Sequence, residues 1–453
     1  MAARSLSRLP DAGGGNQLLH RVACRYLLTG VRPGVAPRGI GEGSGEERVL
    51  VSGMDDVRGE STIGERIRRL RKDALMTQDD LAAAADVSTD LIRKLEQGQR
   101  HTASIGSLHR IAAALDVGLG ELLGRESMPD AAPDAGVVAL RQAVADVADL
   151  LGEVEGEPLS LRDAERSVTY LWGMYWSGKW DQLTGLLPQA LIGLRATLHA
   201  ADATTRPKAA EQLAWCYSVA ANTLTHLRQP DAGFMAARHA LDLVAGGDDA
   251  LLAAVLKGAV SWQLLVSGRF RKAERVALRA AESIEPHGDV PVQVLSVYGS
   301  LLVQVANAVA RDRRSAIAGD FLESAREIAQ RMATDRLDYE IPFGPSLVTM
   351  QTVDVGVVTE DYPAALIAAS RMPVNLGLPL ASRCRHLADR ACAHANLGQQ
   401  EQALALLLTA EGMSPDWIRH QTLARAVVQD LLTAERRRST PLRELAKRIG
   451  ANR

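Results

Sequence analysis

Residues 88–97 bring several hydrogen-bonding side chains onto one face of a short predicted helix. Serine is a favoured N-cap, so the helix is predicted to begin at Ser88, and Leu91, Ile92 and Leu95 recur at the spacing of a buried face. Arginine and lysine can donate to guanine O6 and N7, and aspartate can accept from cytosine N4. The opposite face can therefore read base edges of double-stranded DNA, and its candidate base-reading residues are Thr89, Asp90, Arg93 and Lys94.

Short capped helices on both sides position this face. Thr62 and Glu65 have the spacing of a capping box, in which each side chain bonds to the backbone N–H of the other residue. Thr77, followed by two aspartates in the first turn, marks the start of the preceding helix. Ala82 is small enough for that helix to cross the next one, and Asp86 tolerates left-handed backbone angles in the turn between them. With two further helices, these elements predict a small five-helix α domain over residues 61–125.

This arrangement resembles the helix-turn-helix of the phage-repressor/Cro-type regulators, the xenobiotic-response-element family. The resemblance covers residues 63–123 and rests on Thr77, Gln78, Leu81, Ala82, Val87, Ser88, Ile92, Leu95, Glu96 and Gly98. It implies a lambda-repressor-like DNA-binding domain whose second motif helix, the recognition helix, enters the major groove. The sequence departs from the pattern twice. Asp86 stands where glycine is usual, and the loop after the recognition helix lacks the frequent proline.

The resemblance and the positions in the chain also assign roles outside the base-reading face. Arg71 and Glu96 match positions that pair as an internal ion pair, which holds the first and third helices together without touching bases. Phosphate contacts fix the register of a protein on DNA without reading its sequence. The residues expected to make them are Thr77, Gln78, Arg100 and His101, and Ser88, at the start of the recognition helix, is also expected to be DNA-binding.

The net charge of this domain limits how strongly one copy can hold DNA. Residues 62–125 contain ten lysine and arginine residues and nine aspartate and glutamate residues, a net charge of +1. We therefore expect a homodimer, which doubles the phosphate contacts. The alternative is a protein–protein adaptor in which the small domain only dimerises and the rest of the chain recruits a protein partner.

Composition changes divide the rest of the chain. Residues 1–60 are rich in glycine, arginine, serine and proline, so we expect a disordered or misannotated N-terminal extension, with Met54 as an alternative start. Residues 126–136 contain two prolines and are predicted to be a linker. Residues 137–453 are predicted to be helical, beginning with a helix over residues 137–155.

Within residues 137–453, a long helix, a short turn and a shorter helix recur from Leu161 to Gly412. The clearest turns are predicted at residues 177–180, 228–231, 267–270, 311–314, 359–362 and 397–400. These units resemble tetratricopeptide repeats, although they are longer than usual, and the resemblance implies an α-solenoid that ends in C-terminal capping helices. The predicted fold class is therefore all-α, with a lambda-repressor-like domain followed by an α-solenoid.

A solenoid of this kind offers a concave groove for a ligand. A chain that joins such repeats to this DNA-binding domain resembles the peptide-pheromone sensors of bacteria, which implies a peptide, small-molecule or protein ligand. Asn222 and Asn307 fall on first helices of their hairpins, where an amide can both donate to and accept from a peptide backbone. Alternatively, each faces solvent or a neighbouring turn. Four indoles are expected to fill the core between helices: Trp172, Trp176, Trp215 and Trp262.

Other function classes leave no pattern in the sequence. No Walker-A loop, H-E-x-x-H, G-x-S-x-G or dinucleotide fingerprint occurs, so we expect no enzyme activity, no catalytic residues and no cofactor. Cys384 with His386, and Cys392 with His394, combine metal-ligand types, but helical side chains two apart diverge, so no metal site is expected. No uninterrupted apolar run reaches about 18 residues, which predicts no membrane span. The hypothesis that follows is a cytoplasmic, nucleoid-associated transcriptional regulator.

Overall fold

The computed structural model describes residues 62–100, 103, 105–117, 122, 135–147, 151–152, 154, 156–373, 377–435 and 439–451. The predicted extension over residues 1–60 and nearly all of the predicted linker lie outside these residues. His101, one of the expected phosphate contacts, also lies outside them. Helices account for most of what is described, in two groups.

The first group forms a small domain around one core. Its described helices are α1 (Ile63–Asp73), α2 (Gln78–Ala84), α3 (Thr89–Glu96) and α4 (Ile105–Ala114). The predicted N-caps are present at Thr62, Thr77 and Ser88, and the first two are complete capping boxes. The core also takes in Leu122, from the position of the predicted fifth helix, whose other residues lie outside the described part of the chain. Local capping therefore places the start of α3 as predicted.

α1 and α3 are in close contact at Gly64. A Cβ atom at Gly64 would lie 1.9 Å from the carbonyl oxygen of Leu95, so only glycine fits there. Ala82 is 3% exposed and occupies the predicted crossing of α2. Asp86 has a φ of 50°, which confirms the left-handed conformation predicted for the turn before α3. Small residues at these two contacts thus let the helices of the domain approach each other closely.

The second group is a stack of helical hairpins preceded by α5 (Ala135–Val144), which is shorter than the predicted helix over residues 137–155. The hairpin helices are α6 (Leu161–Trp176), α7 (Trp180–Ala200), α8 (Arg206–His226), α9 (Pro230–Leu243), α10 (Ala250–Val266), α11 (Phe270–Glu282), α12 (Val292–Arg311), α13 (Ser315–Met332), α14 (Pro345–Val358), α15 (Tyr362–Ala369), α16 (Leu380–Asn396) and α17 (Gln400–Met413). The C-terminal helices are α18 (Pro415–Arg419), α19 (Thr422–Ala434) and α20 (Thr440–Arg448).

All six predicted turns connect the two helices of a hairpin. The middle residue of each connection has a positive φ, which turns the chain back after the first helix. Glycine, which adopts this conformation without strain, holds the position in three turns. Arg228, Arg313 and Glu360 hold it in the other three, with φ of 64°, 61° and 64°. Glycine alone would therefore have revealed only half of the turns.

A small β-hairpin departs from the all-α prediction. Its strands are β1 (Arg336–Asp338) and β2 (Ile341–Phe343), which pair antiparallel and pack against α12. Tyr339 and Glu340 form the turn, with φ of 51° and 58°. Two positive φ angles are typical of a type I′ turn, which asparagine and glycine usually occupy. The sequence lacks that signal, so the hairpin was not predicted.

The repeat domain closes on itself. Asp181, at the start of α7, accepts a hydrogen bond from Arg419 at 3.0 Å and contacts Nε2 of His420 at 2.7 Å. The turn before α7 also lies against Trp417, since a Cβ on Gly178 would be 3.0 Å from the Trp417 Cβ. The C-terminal helices, predicted to be caps, therefore also contact the first hairpin. The concave side of the stack becomes a cavity bounded by both ends of the domain.

α12 has the length and composition of a helix that could cross a membrane. Scattered polar residues divide its sequence, so it contains no long uninterrupted apolar run. In the structure, 72% of its most apolar window is buried inside the protein. α12 packs against α11 and α13 as a core helix of the repeat domain.

Candidate functional site

The exposed face of α3 carries all four predicted base-reading side chains. Arg93 is 54% exposed, Lys94 46% and Asp90 47%, and Thr89 is also exposed. The apolar face of the same helix is buried in the core through Leu91, Ile92 and Leu95. Because this packing fixes the rotation of α3, the polar face points away from the domain. We refer to the surface formed by Thr89, Asp90, Arg93 and Lys94 as the α3 face.

Asp90 pairs with both cations of the α3 face. Its carboxylate lies 2.7 Å from Nζ of Lys94 and also bonds to the guanidinium of Arg93. The hydrogen bond from Lys94 is the main cause that holds the pKa of Asp90 below its ordinary value. Thr89 donates from Oγ1 to Asp79 at 2.8 Å. The α3 face is thus pre-arranged by exposed local bonds, which solvent or a ligand can replace at little cost.

Arg71 and Glu96 form the predicted ion pair between α1 and α3. Nε and Nη2 of Arg71 donate to the two carboxylate oxygens of Glu96 at 2.6 and 2.8 Å. The side chains are only 11% and 3% exposed. Burial alone would raise the pKa of Glu96, but the bonds from Arg71 and Gln78 outweigh it and lower that pKa. This bidentate pair fixes the position of α3 relative to α1 and takes no part in the α3 face.

Two residues expected to contact phosphates are engaged inside the protein. Nε2 of Gln78 donates to Glu96 at 2.8 Å, so this amide joins the ion pair. Arg100 lies 3.6 Å from Glu360, in the turn between α14 and α15, and its side chain is 22% exposed. Thr77 is exposed and serves as the N-cap of α2. A phosphate would therefore have to compete with Glu360 for Arg100.

Arg100 is one of several contacts between the two groups of helices. Nη1 of Arg313 lies 2.9 Å from Oδ2 of Asp86, in the turn before α3. Nη1 of Arg110, on α4, donates to the carbonyl oxygen of Arg311 at 3.5 Å. Asp86, Arg313 and Glu360 are all non-glycine residues with positive φ. All three lie in turns through which the two domains contact each other.

A cavity of about 310 Å³ lies on the concave side of the repeat domain. Asn222 and Asn307 both line it, as does the turn of the β-hairpin. Nδ2 of Asn307 donates to Gln351 at 2.9 Å, and its Oδ1 is buried without a hydrogen-bond partner. The two amides predicted from register alone therefore face the same cavity, not bulk solvent.

One end of the cavity is aromatic. The four indoles predicted to fill the core pack between helices and also line this cavity. Trp172 is 3% exposed, whereas Trp176 and Trp262 are half-buried. The ring of Trp180 stacks on His226 with 3.9 Å between ring centroids. Burial, and to a lesser degree Arg385 and His420, lowers the pKa of His226 to about 3, so this end carries no charge from histidine at neutral pH.

The other end holds a network of buried charges. Asp354 accepts from Nη2 of Arg385 at 2.6 Å and lies 3.0 Å from Nη1 of Arg311. Nε of Arg385 also donates to Asp389 at 2.9 Å. Burial raises the pKa of Asp389 to about 7. Burial alone would also raise the pKa of Asp354, but the two guanidinium groups outweigh it and lower that pKa.

Sequence reasoning missed this charged network. The available signal was weak: Asp354 is a lone acid within an apolar stretch of α14, and Arg385 and Asp389 have the helical spacing of an ordinary surface pair. Only the stacking of α12, α14 and α16 brings these side chains together. Among the residues described, no group of three or more His, Cys, Asp and Glu side chains is placed to hold a metal ion.

Residues 62–123 match a family model described as a helix-turn-helix domain. Together with the geometry of α2 and α3, the match decides the identity of the first domain. Residues 62–123 are a helix-turn-helix domain. This helix-turn-helix domain is similar to the immunity repressor protein of Bacillus phage phi105, with 31% identity over 67 residues. The match takes in 15% of this chain and 46% of the repressor, so the chain spans about half the length of this curated relative.

Solved structures show weaker likenesses. Bacillus thuringiensis PlcR, solved in complex with the peptide PapR7 and DNA, aligns with 61% of this chain and 96% of its own at 13% identity and a TM-score of 0.26. Aspartyl phosphate phosphatase F from Bacillus subtilis aligns with 82% of this chain and 97% of its own at 13% identity and a TM-score of 0.39. Likenesses at this level say nothing about what this chain binds. Its fold follows from its own helices and the helix-turn-helix match.

Proposed function

We propose that this protein is a sequence-specific DNA-binding transcriptional regulator whose repeat domain binds a peptide or a small ligand. The observation that carries the proposal is the exposed α3 face on a helix-turn-helix domain. In such domains the recognition helix enters the major groove and its first turns contact base edges. Arg93 and Lys94 supply donors suited to guanine, and Thr89 lies in the first turn. A regulator of this kind acts in the cytoplasm, at the nucleoid.

The charge of the helix-turn-helix domain supports a dimer on DNA. A net charge of +1 over residues 62–125 gives one domain few phosphate contacts. Two subunits that pair through their repeat domains would present two α3 faces about 34 Å apart, which is one turn of DNA. Their operator would then be a pseudo-palindrome, because the symmetry of the site mirrors that of the dimer.

The contacts between the domains supply a route from the cavity to the α3 face. Arg311 lines the cavity and pairs with Asp354, while its carbonyl oxygen accepts a hydrogen bond from Arg110 of the helix-turn-helix domain. Two residues later, Arg313 pairs with Asp86 at the start of α3. A ligand that binds one arrangement of Arg311 more tightly than another would shift the position of the two helix-turn-helix domains and so change DNA affinity.

DNA binding is tested by replacing Arg93 and Lys94 together with alanine. Each base-contacting cation is worth about 1–3 kcal/mol, so a gel-shift assay should show at least about a 30-fold loss of affinity for the operator, which is found by selection from genomic fragments. The matched control is the double variant Arg166→Ala with Arg238→Ala, two exposed cations of the repeat domain, which should bind as the wild type does. Unchanged binding by the α3 variant, with helicity preserved, would overturn the assignment.

Size-exclusion chromatography with light scattering tests the dimer on the same protein. A dimer that selects no DNA from the genome would reject the regulator and support the adaptor, in which the small domain only dimerises. A protein that is monomeric in solution and forms a pair only when it binds the pseudo-palindromic site would reject a dimer that pairs through the repeat domains before it meets DNA.

A further inference from the structure

The cavity of the repeat domain joins two unlike surfaces. Its aromatic end includes half-buried Trp176 and Trp262, and its charged end is built from Arg311, Asp354 and Arg385. Trp180 stacks on His226 at the aromatic end, and both residues line the same cavity as Arg385. A ligand that spans the cavity therefore meets indole rings and a guanidinium group at once.

Arg385 is the member of this network most accessible to a ligand, although the network contains two acids and two bases. The side chains of Asp354 and Asp389 are 7% and 0% exposed, and that of Arg311 is 10% exposed. Arg385, in contrast, keeps 39% of its side chain exposed. Its Nε and Nη2 are engaged with the two aspartates, which leaves Nη1 to a ligand.

Two further observations favour an acceptor-bearing ligand. The indole N–H groups of Trp172, Trp176 and Trp180 are buried and make no hydrogen bond in the described structure, so this wall is rich in unused donors. Glu340 is the one other acid among the residues that line the cavity. Burial raises the pKa of Glu340, because it disfavours the charged carboxylate. Small rearrangements of the rings would let a carbonyl or carboxylate oxygen accept from an indole.

We propose that this cavity binds a small aromatic carboxylate, with its ring among the indoles and its carboxylate on Arg385. The proposal rests on the ligand-sensing function above and specifies its ligand class. A guanidinium group binds a carboxylate through parallel hydrogen bonds, and an aromatic wall offers flat apolar contact. A volume of about 310 Å³ is at the lower end of the roughly 300–1,000 Å³ typical of small-molecule sites, so it suits one ring with a short acid.

The ligand class is tested with three probes on the wild-type, full-length protein without DNA. Phenylacetate, phenylacetamide and phenethylamine share a ring and differ in the charge of the attached group. Isothermal titration calorimetry should show phenylacetate binding at least about 10-fold more tightly than phenylacetamide, with phenethylamine the weakest. Equal affinities, a preference for the amine, or no binding of phenylacetate would overturn the proposal. No variant is needed, so misfolding cannot obscure the result.

Two variants place the probe in this cavity. Arg385→Lys keeps the charge but loses the fork of donors, so it should weaken phenylacetate about 10-fold and leave phenylacetamide unchanged. Trp262→Leu should weaken both probes. The control is Tyr170→Leu, an aromatic residue that is 62% exposed and does not line the cavity, and it should change neither. Phenylacetate affinity that survives both cavity variants would place the probe elsewhere and overturn the assignment.

The same chemistry occurs in a free aromatic acid and at the C-terminus of a peptide that ends in an aromatic residue. The tripeptide Gly-Gly-Phe and its C-terminal amide separate these sources. A free acid as the source predicts that phenylacetate binds more tightly than the tripeptide, and a peptide source predicts the reverse. Equal affinities of the tripeptide and its amide would overturn carboxylate recognition. Phenylacetate that binds without changing the gel shift would sink the coupling to DNA and leave the ligand class standing.

Discussion

The charged side chains proposed to bind DNA and those proposed to bind a ligand lie on different sides of their helices. On α3, Arg93 and Lys94 point outward and bond to an exposed neighbour. On α12 and α14, Arg311 and Asp354 point inward and bond to each other in the cavity wall. Exposed pairs contribute little to stability, so they can exchange partners freely. Buried charges must stay paired, so in the repeat domain the groups offered to a ligand also hold the fold together.

The largest effect that tests this contrast is expected from Asp354→Ala. The substitution leaves Arg311 without its carboxylate in a buried site, which typically costs about 3–5 kcal/mol of unfolding free energy. Denaturant unfolding of the repeat domain, followed by circular dichroism, measures this loss. The control is Asp242→Ala, which removes the partner of Arg238 from an exposed pair and should shift the transition by less than about 0.5 kcal/mol. Equal effects of the two substitutions would erase the contrast.

A smaller effect, confined to the other domain, is expected from Gly64→Ala. The added Cβ would lie 1.9 Å from the carbonyl oxygen of Leu95 and push α1 away from α3, at a cost of about 1–3 kcal/mol. The gel shift should weaken while the unfolding of the repeat domain stays unchanged. In the control Gly173→Ala the new Cβ meets no atom within 4 Å, so the better helix former should be neutral or stabilising. A normal gel shift from Gly64→Ala would mean that α1 and α3 can move apart without any loss of DNA affinity.

The last effect is a difference in pH dependence, measured as a slope of the unfolding free energy against pH. Burial raises the pKa of Asp389 from 3.8 to about 7, so the folded state keeps a proton that the unfolded state releases. This contribution to the stability of the repeat domain is complete below about pH 4 and is lost as the pH rises to about 7, by at most about 1.4 kcal/mol per pH unit. Unfolding measured across this range should show a flatter slope in Asp389→Asn, and an unchanged slope would contradict the buried carboxyl.

Glu96 in the helix-turn-helix domain should act in the opposite sense. Its pKa is lowered from 4.5, because the bonds from Arg71 and Gln78 outweigh the effect of burial. Its contribution to stability is therefore present above about pH 4.5 and is lost as the pH falls through the lowered pKa of Glu96 in the folded state. Acid should thus weaken the helix-turn-helix domain over the range in which Asp389 stabilises the repeat domain.

Most of the helix-turn-helix domain was accessible from sequence because its signals are local. Thr62, Thr77 and Ser88 cap helices through bonds that reach three residues along the chain, and Asp86 sets one turn by its own φ. The ion pair of Arg71 and Glu96 was predicted only through the family resemblance. The engagement of Gln78 and Arg100 inside the protein was not foreseen, because their partners depend on how helices and domains pack.

In the repeat domain the sequence by itself indicated the repeating helical pattern and the six turns, since apolar periodicity and polar turn residues act over short distances. It also placed Asn222 and Asn307 on first helices. Only the tertiary structure decided that the C-terminal helices contact Asp181, that an unsignalled β-hairpin joins the lining, and that Arg385 reaches Asp354. Periodicity fixes which face of a helix is buried, but the small rotation from each hairpin to the next decides which faces meet.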